Sequence, residues 1–196
     1  MQRHFVKIAY NGTAYSGWQK QPNEETVQGE IEKCLSKLAG NQAVDVVGCG
    51  RTDAGVHASE FYFHVDLPSN LKHDQLMYKL NKMLSPAIAV NGIHLVKQDA
   101  HARFDATSRT YRYFIHQHKN PFKVNTSWYY SPELDVEKMN AAAQLLIGRK
   151  DFTSFSKLHT DVKTNICEVT QAEWVKDDSG NLYFEITANR FLRNMV

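Results

Sequence analysis

Cysteine is scarce and scattered: Cys34, Cys49 and Cys167 are the only three in 196 residues. An odd number at such distances argues against a disulfide framework and leaves no CxxC pair for a metal, so the thiols are expected to be reduced. An apolar run approaching the ~20 residues of a membrane span is also missing, and no membrane role is indicated. The N-terminus, Met1-Gln2-Arg3-His4, leads into alternating residues and not into an apolar h-region, which argues against a cleaved secretory signal and favours the cytoplasm. A strong charge of one sign is lacking too. The net charge of +2 does not announce nucleic-acid binding, so any such reading must rest on local clustering. What remains, 42% hydrophobic and 22% charged residues, is the composition of an ordinary globular protein with room for one large or two small domains.

One cluster does exist. Between His101 and Lys123 five basic residues (Arg103, Arg109, Arg112, Lys119 and Lys123) stand against one acid, Asp105, and are interleaved with Phe104, Tyr111, Tyr113 and Phe114. The nine histidines raise the question of a metal. His116-Gln117-His118 puts two of them on one strand face, but no Cys or acidic partner lies at a zinc-like spacing, which favours surface or RNA contact.

Hydrophobic periodicity divides the chain into two similar halves. Residues 3 to 11 alternate like a strand, Glu24 to Leu38 places Val27, Ile31, Cys34, Leu35 and Leu38 on one helical face, and residues 43 to 49 read as a second strand. Phe61, Phe63 and Val65 then alternate as the other arm of a hairpin. A helix through Leu76, Leu80, Met83 and Leu84 ends before Pro86, and Ala87 to Lys97 forms a last strand. The order is βαββαβ, the ferredoxin-like plan.

The second half starts alike, with a strand over Thr110 to His116 and a helix from about Asp135 to Ile147 closed by Gly148 as its C′ residue. Strands near Asn165 to Lys176 and Leu182 to Thr187 flank the turn Asp177-Asp178-Ser179-Gly180-Asn181. Phe191, Leu192, Met195 and Val196 then fall as the opening of an apolar helix face, where the sequence stops. By analogy with the first half a helix and a strand are missing, so the sequence reads as C-terminally truncated. The expected fold class is α+β: two ferredoxin-like halves, residues 1–104 and 105–196, forming a mixed, largely antiparallel sheet with helices on one face and the second half incomplete.

The segment most suggestive of chemistry is Cys49-Gly50-Arg51-Thr52-Asp53-Ala54-Gly55-Val56-His57, set between two strands where a rigid frame can present a side chain. Its two glycines permit unusual backbone angles. For an arbitrary Asp beside Gly, the simpler reading is a turn whose carboxylate satisfies nearby backbone amides. A pairing of Cys49 with His57 as a thiol nucleophile is the weaker alternative to a buried strand end and a loop cap.

Gly50-Arg51-Thr52-Asp53-Ala54-Gly55-Val56-His57 resembles, residue for residue, the signature of the TruA family of tRNA pseudouridine synthases. Tyr10-Asn11-Gly12-Thr13-Ala14-Tyr15-Ser16-Gly17-Trp18-Gln19 with Thr26-Val27-Gln28 is similar to the family's N-terminal motif. Phe104-Asp105-Ala106-Thr107 with Arg109-Thr110-Tyr111-Arg112-Tyr113, Asp151-Phe152-Thr153-Ser154-Phe155, and Asn189-Arg190-Phe191-Leu192-Arg193-Asn194-Met195-Val196 resemble its later motifs, in the family's order.

The resemblance implies isomerisation of uridine to pseudouridine at positions 38 to 40 of the tRNA anticodon arm, without a cofactor, by a homodimer. It implies Asp53 as the nucleophilic carboxylate and Tyr111 as the tyrosine that stacks on the uracil, Tyr113 being left to the core. It also implies an arginine directly after Val196, against the aspartate. Arg51 would support the Asp53 charge or touch the flipped nucleotide. Lys20, Arg103, Arg109, Arg112, Arg190 and Arg193 are candidates for phosphate contacts, which orient RNA without reading its sequence. An RNA-binding module without turnover is the competing reading.

Overall fold

Strand β1 (Gln2–Tyr10) buries His4, Val6, Ile8 and Tyr10 and turns the intervening residues away from the core, as the two-residue period of a strand demands. It lies between β3 (Ala58–Leu67) and β4 (Ile88–Leu95), antiparallel to both, with β2 (Val47–Gly48) outside β3. The order β2-β3-β1-β4 is that of a ferredoxin-like sheet. Helices α1 (Val27–Leu38) and α2 (His73–Met83) cover one face, where Val27, Ile31, Leu35, Leu76 and Leu80 join Val6, Ile8, Phe63 and Val65 in a single core. The structure, a computed structural model, describes residues 1–69, 72–157, 164–177 and 181–196, and none of its described helices is long and apolar enough to cross a membrane.

Two boundaries differ from the periodic pattern for identifiable reasons. The first helix begins at Val27 and not near Glu24 because the Thr26 hydroxyl accepts the Gly29 amide, an N-cap that sets the start. The second strand is a two-residue ladder and does not span residues 43 to 49. Just before it the Val46 amide donates to Glu32 and the Val46 carbonyl accepts from the Gln28 side chain, so the backbone there is satisfied by α1 and not by β3.

Thr107–Val196 forms a compact unit distinct from Met1–Ala106. Its sheet has the order β6-β5-β9-β8-β7, with β5 (Arg109–His116), β6 (Trp128–Tyr129), β7 (Gly148–Asp151), β8 (Ile166–Lys176) and β9 (Leu182–Ala188). All its pairings are antiparallel except β5 with β6. Helix α3 (Val136–Gln144) starts on the Asp135 carboxylate, which accepts the Lys138 amide, and packs on β8. Gly148 does not close that helix. It takes φ +102° as the first residue of β7, a strand that the periodic pattern does not announce. Nor is Asn189 to Val196 a helix. It is irregular chain with a turn in which the Met195 amide bonds the Leu192 carbonyl, and Leu192 is buried against Cys167 and Val169. Of the turn expected at 177–181, residues 178–180 lie outside the described residues.

Two buried histidines make the first unit acid-sensitive. His4 is 1% exposed and its pKa is lowered, chiefly by burial and further by His73. His64, whose Nδ1 accepts the Ala102 amide, is likewise lowered by burial and then by Arg3 and His101. Because the folded state binds these protons less readily than the unfolded chain, stability is full above the ordinary imidazole pKa of about 6.5 and declines as pH falls below it. The melting temperature is therefore expected to drop between pH 7.5 and pH 5.5 in a thermal scan. A flat or rising trend would contradict the assignment.

Candidate active site

The loop after β2 is held at both ends by the segment between β1 and α1. At its N-terminal end the Thr52 carbonyl accepts the Trp18 amide at 3.3 Å, and the Thr52 hydroxyl hydrogen-bonds the Tyr10 hydroxyl at 3.0 Å. At the other end the Gly55 amide donates to the Tyr15 carbonyl at 3.2 Å, and the His57 Nδ1 accepts the Gly12 amide at 2.9 Å.

The holding segment is itself anchored. Trp18, 1% exposed, packs with its ring 4.3 Å from that of Phe61 and tilted 33° to it, and the Gly17 and Trp18 carbonyls accept the Val27 and Gln28 amides at the start of α1. Tyr15 donates its hydroxyl to Glu30 at 2.5 Å. Burial, and then that bond, pushes its pKa up to about 12, so it stays a donor.

Glycine makes this approach possible. A Cβ on Gly12 would stand 2.0 Å from the Val56 carbonyl oxygen, and one on Gly17, at φ +89°, would stand 2.2 Å from that of Thr52. Of the loop's own two glycines only Gly55, at φ +78°, uses a left-handed angle; Gly50 has an ordinary one and open space around it. The residues that seat the loop are thus Tyr10, Gly12, Tyr15, Gly17 and Trp18. In the sequence they all fall within the N-terminal motif Tyr10–Gln19, whose pattern alone does not reveal this task. Two glycines five residues apart in an otherwise glycine-poor stretch were the available signal.

Thr52 is turned into the seat, and its neighbours Arg51 and Asp53 are exposed. The turn is closed by backbone, the Val56 amide bonding the Asp53 carbonyl at 3.3 Å. Among the described residues no hydrogen bond or ion pair engages the Asp53 carboxylate, so the simpler reading, a side chain spent on satisfying its own turn, does not hold. Arg51 forms no ion pair with Asp53 among the described residues. Cys49 is half-buried and its amide pairs with the Tyr62 carbonyl, continuing the β2–β3 ladder, while His57 is engaged with Gly12.

In the second unit Tyr111 is half-buried against the core, with the Phe191 ring edge-on at 5.1 Å. Tyr113 is not a core residue: it is 47% exposed, with the Trp128 ring 6.5 Å away. Arg109 donates to the Asn189 carbonyl at 2.9 Å, which ties the start of β5 to the segment carrying Arg190 and Arg193. Arg112 pairs with Glu185, which raises its pKa, and lies over the Tyr183 ring. Lys157 donates its amide to the Arg193 carbonyl, so the 151–157 turn supports the same segment.

In the first unit Lys20 is bonded to Glu32 at 3.0 Å, and Arg103 lies near the Phe104 ring, which is 75% exposed. Of the basic candidates, Lys20 and Arg112 thus already have acidic partners. Among the described residues no group of three or more His, Cys, Asp or Glu is arranged to hold a metal ion.

A solvent-facing carboxylate on a held loop of a ferredoxin-like half is joined by a sequence match, over residues 142–196, to the family described as tRNA pseudouridine synthase. The protein is thereby a tRNA pseudouridine synthase, an isomerase acting on RNA. The tRNA pseudouridine synthase A of Porphyromonas gingivalis is 52% identical over 199 residues, covering all of this chain and 79% of the relative. Those of Bacteroides thetaiotaomicron and Limosilactobacillus reuteri are 50% and 38% identical, with 73% and 78% of their lengths covered. The chain belongs to the tRNA pseudouridine synthase A, or TruA, family.

Proposed function

We propose that this enzyme isomerises uridines 38 to 40 of the tRNA anticodon arm, with Asp53 as nucleophile. The reaction breaks the bond from uracil N1 to C1′, turns the base and joins C5 to C1′. N1 gains a proton and C5 loses one, so the product is an isomer and no cofactor enters the balance. A carboxylate attacking or shielding the sugar carbon as the base departs is established chemistry for glycosyl transfer. A glycosidase that inverts needs a second carboxylate to activate water, whereas here water has to be kept out and the base kept in.

The observation that carries the reading is the Asp53 carboxylate itself, exposed and unused by a loop that four hydrogen bonds, two through its backbone and two through the Thr52 and His57 side chains, hold in place. Tyr111 takes the uracil face once the nucleotide has left its stack, and Phe191 beside it supports the ring. Arg51 contacts the flipped nucleotide's backbone, since nothing binds it to Asp53. Arg103, Arg109, Arg190 and Arg193 contribute phosphate contacts, and Lys20 and Arg112 do so at the cost of exchanging an acidic partner.

The enzyme works in the cytoplasm as a homodimer, so light scattering on the full-length protein should give twice the chain mass. The central test is the pattern of modification. Anticodon stem-loops carrying tritium at uridine C5 release it when the uridine is at 38, 39 or 40, and stem-loops with cytidine at all three release none. Release from uridines elsewhere in the arm would sink the positional assignment. Stem-loop binding without any release would favour the RNA-binding module.

A further inference from the structure

We infer that His57 is a positioning residue for the catalytic loop, acting as a neutral imidazole that carries its proton on Nε2 and holds the Gly12 amide with its Nδ1 lone pair. The inference rests on the reading of that loop as catalytic. The Gly12 amide can only donate, and it sits 2.9 Å from Nδ1. A proton on Nδ1 would set two hydrogens against each other, so this nitrogen must be bare. Gly12 opens a short 3-10 turn, Gly12–Ala14, and the amides that start a helical turn have no acceptor within it. His57 supplies that acceptor from 45 residues away.

The connection is stiff because it is short. Gly12 lies so close to the Val56 carbonyl that a methyl group would not fit between them, at 2.0 Å. The Val56 amide is in turn bonded to the Asp53 carbonyl. A displacement of residues 56–57 therefore passes to Asp53 through a single hydrogen-bonded turn. Thr52, with Tyr10 and Trp18, fixes the opposite end of the turn. With Thr52 fixing one end, the His57 bond, together with that from the Gly55 amide to the Tyr15 carbonyl, sets how the carboxylate is aimed.

The test separates aim from fold. Asn places its Oδ1 where the His57 Nδ1 sits, whereas Gln reaches to the place of Nε2. In the full-length protein His57→Gln and His57→Leu are expected to lower kcat about 10²-fold, the cost of a small misplacement. Their KM should stay within about threefold, and His57→Asn should restore kcat to within about tenfold of the parent. Nitrogen-15 NMR of the histidine rings at pH 7.5 should show His57 with Nδ1 bare and Nε2 protonated. An Nδ1-protonated ring overturns the inference. So does full kcat in His57→Leu beside an inactive Asp53→Ala. Activity retained in Asp53→Ala instead sinks the reading of the loop on which the inference rests.

Discussion

Asp53→Ala is expected to lower tritium release from the anticodon stem-loop by on the order of 10⁴-fold or more, the loss typical of removing an attacking group. It should leave the melting temperature where it was. Both halves of that result follow from the same geometry. The carboxylate is exposed and no described group bonds to it, so truncating it removes no structural contact. The turn is closed by the Asp53 carbonyl, which alanine retains. Most substitutions that abolish an activity leave open whether chemistry or fold was damaged, and here the two separate. Asp53→Asn, nearly the same in shape but neutral, should be as inactive as Asp53→Ala. A variant of either kind with more than about a tenth of the parent's rate would remove Asp53 from the mechanism, as would a loss of activity fully explained by unfolding.

Gly17→Ala is expected to be the most damaging substitution in the seat. At φ +89° an L side chain costs roughly 1–2 kcal/mol for its handedness alone. Its Cβ would also stand 2.2 Å from the Thr52 carbonyl oxygen and 3.2 Å from the Asp53 carbonyl carbon, atoms that belong to backbone and cannot rotate aside. The loop must then move off its seat, which breaks the Trp18–Thr52 bond and carries Asp53 with it. The melting temperature should fall by several degrees, and kcat by about 10²-fold or more. Gly50→Ala is the control, in the loop itself but with no left-handed angle and nothing within 4 Å of the added atom. Its stability should change by no more than about 0.5 kcal/mol. If Gly17→Ala and Gly50→Ala behave alike, the seat does not hold the loop.

Much of the architecture was legible because it is written in periods. The alternation of β1, the helical faces of α1 and α2 and the hairpin of β8 and β9 all follow from apolar residues whose spacing admits one burial pattern. What escaped was decided by single polar contacts. Glu32 and Gln28 draw Val46 away from the sheet and shorten β2, and no periodicity encodes that. Gly148 looked like a helix end because glycine serves there often, yet the same φ freedom starts β7. Tyr113, expected in the core, is exposed, and Tyr111 is the more buried of the two. Tyr111 has Phe191 to pack on, while Tyr113, opposite Phe184 in the β5–β9 ladder, is 47% exposed.

The loop was legible as a string, and Asp53, Arg51 and Tyr111 were named from it and its companions. Its mechanics were not. Nothing in Gly-Arg-Thr-Asp-Ala-Gly-Val-His tells that its holders are Gly12 and Gly17, because their task is to be small where another backbone passes.

The seat has a bearing on the order of synthesis. The described residues that bond the ends of the Asp53 loop lie between Tyr10 and His57, and the sheet behind them closes with Leu95. An N-terminal unit of this kind folds as it emerges, and at about 5–20 residues per second the ribosome needs several more seconds to make the remainder. Asp53 would therefore stand in its final place on a nascent chain whose second unit, from Thr107 onward, has yet to be made. Protease resistance of the first unit on chains stalled shortly after its exit would reveal that interval, and its absence would show that the halves mature together.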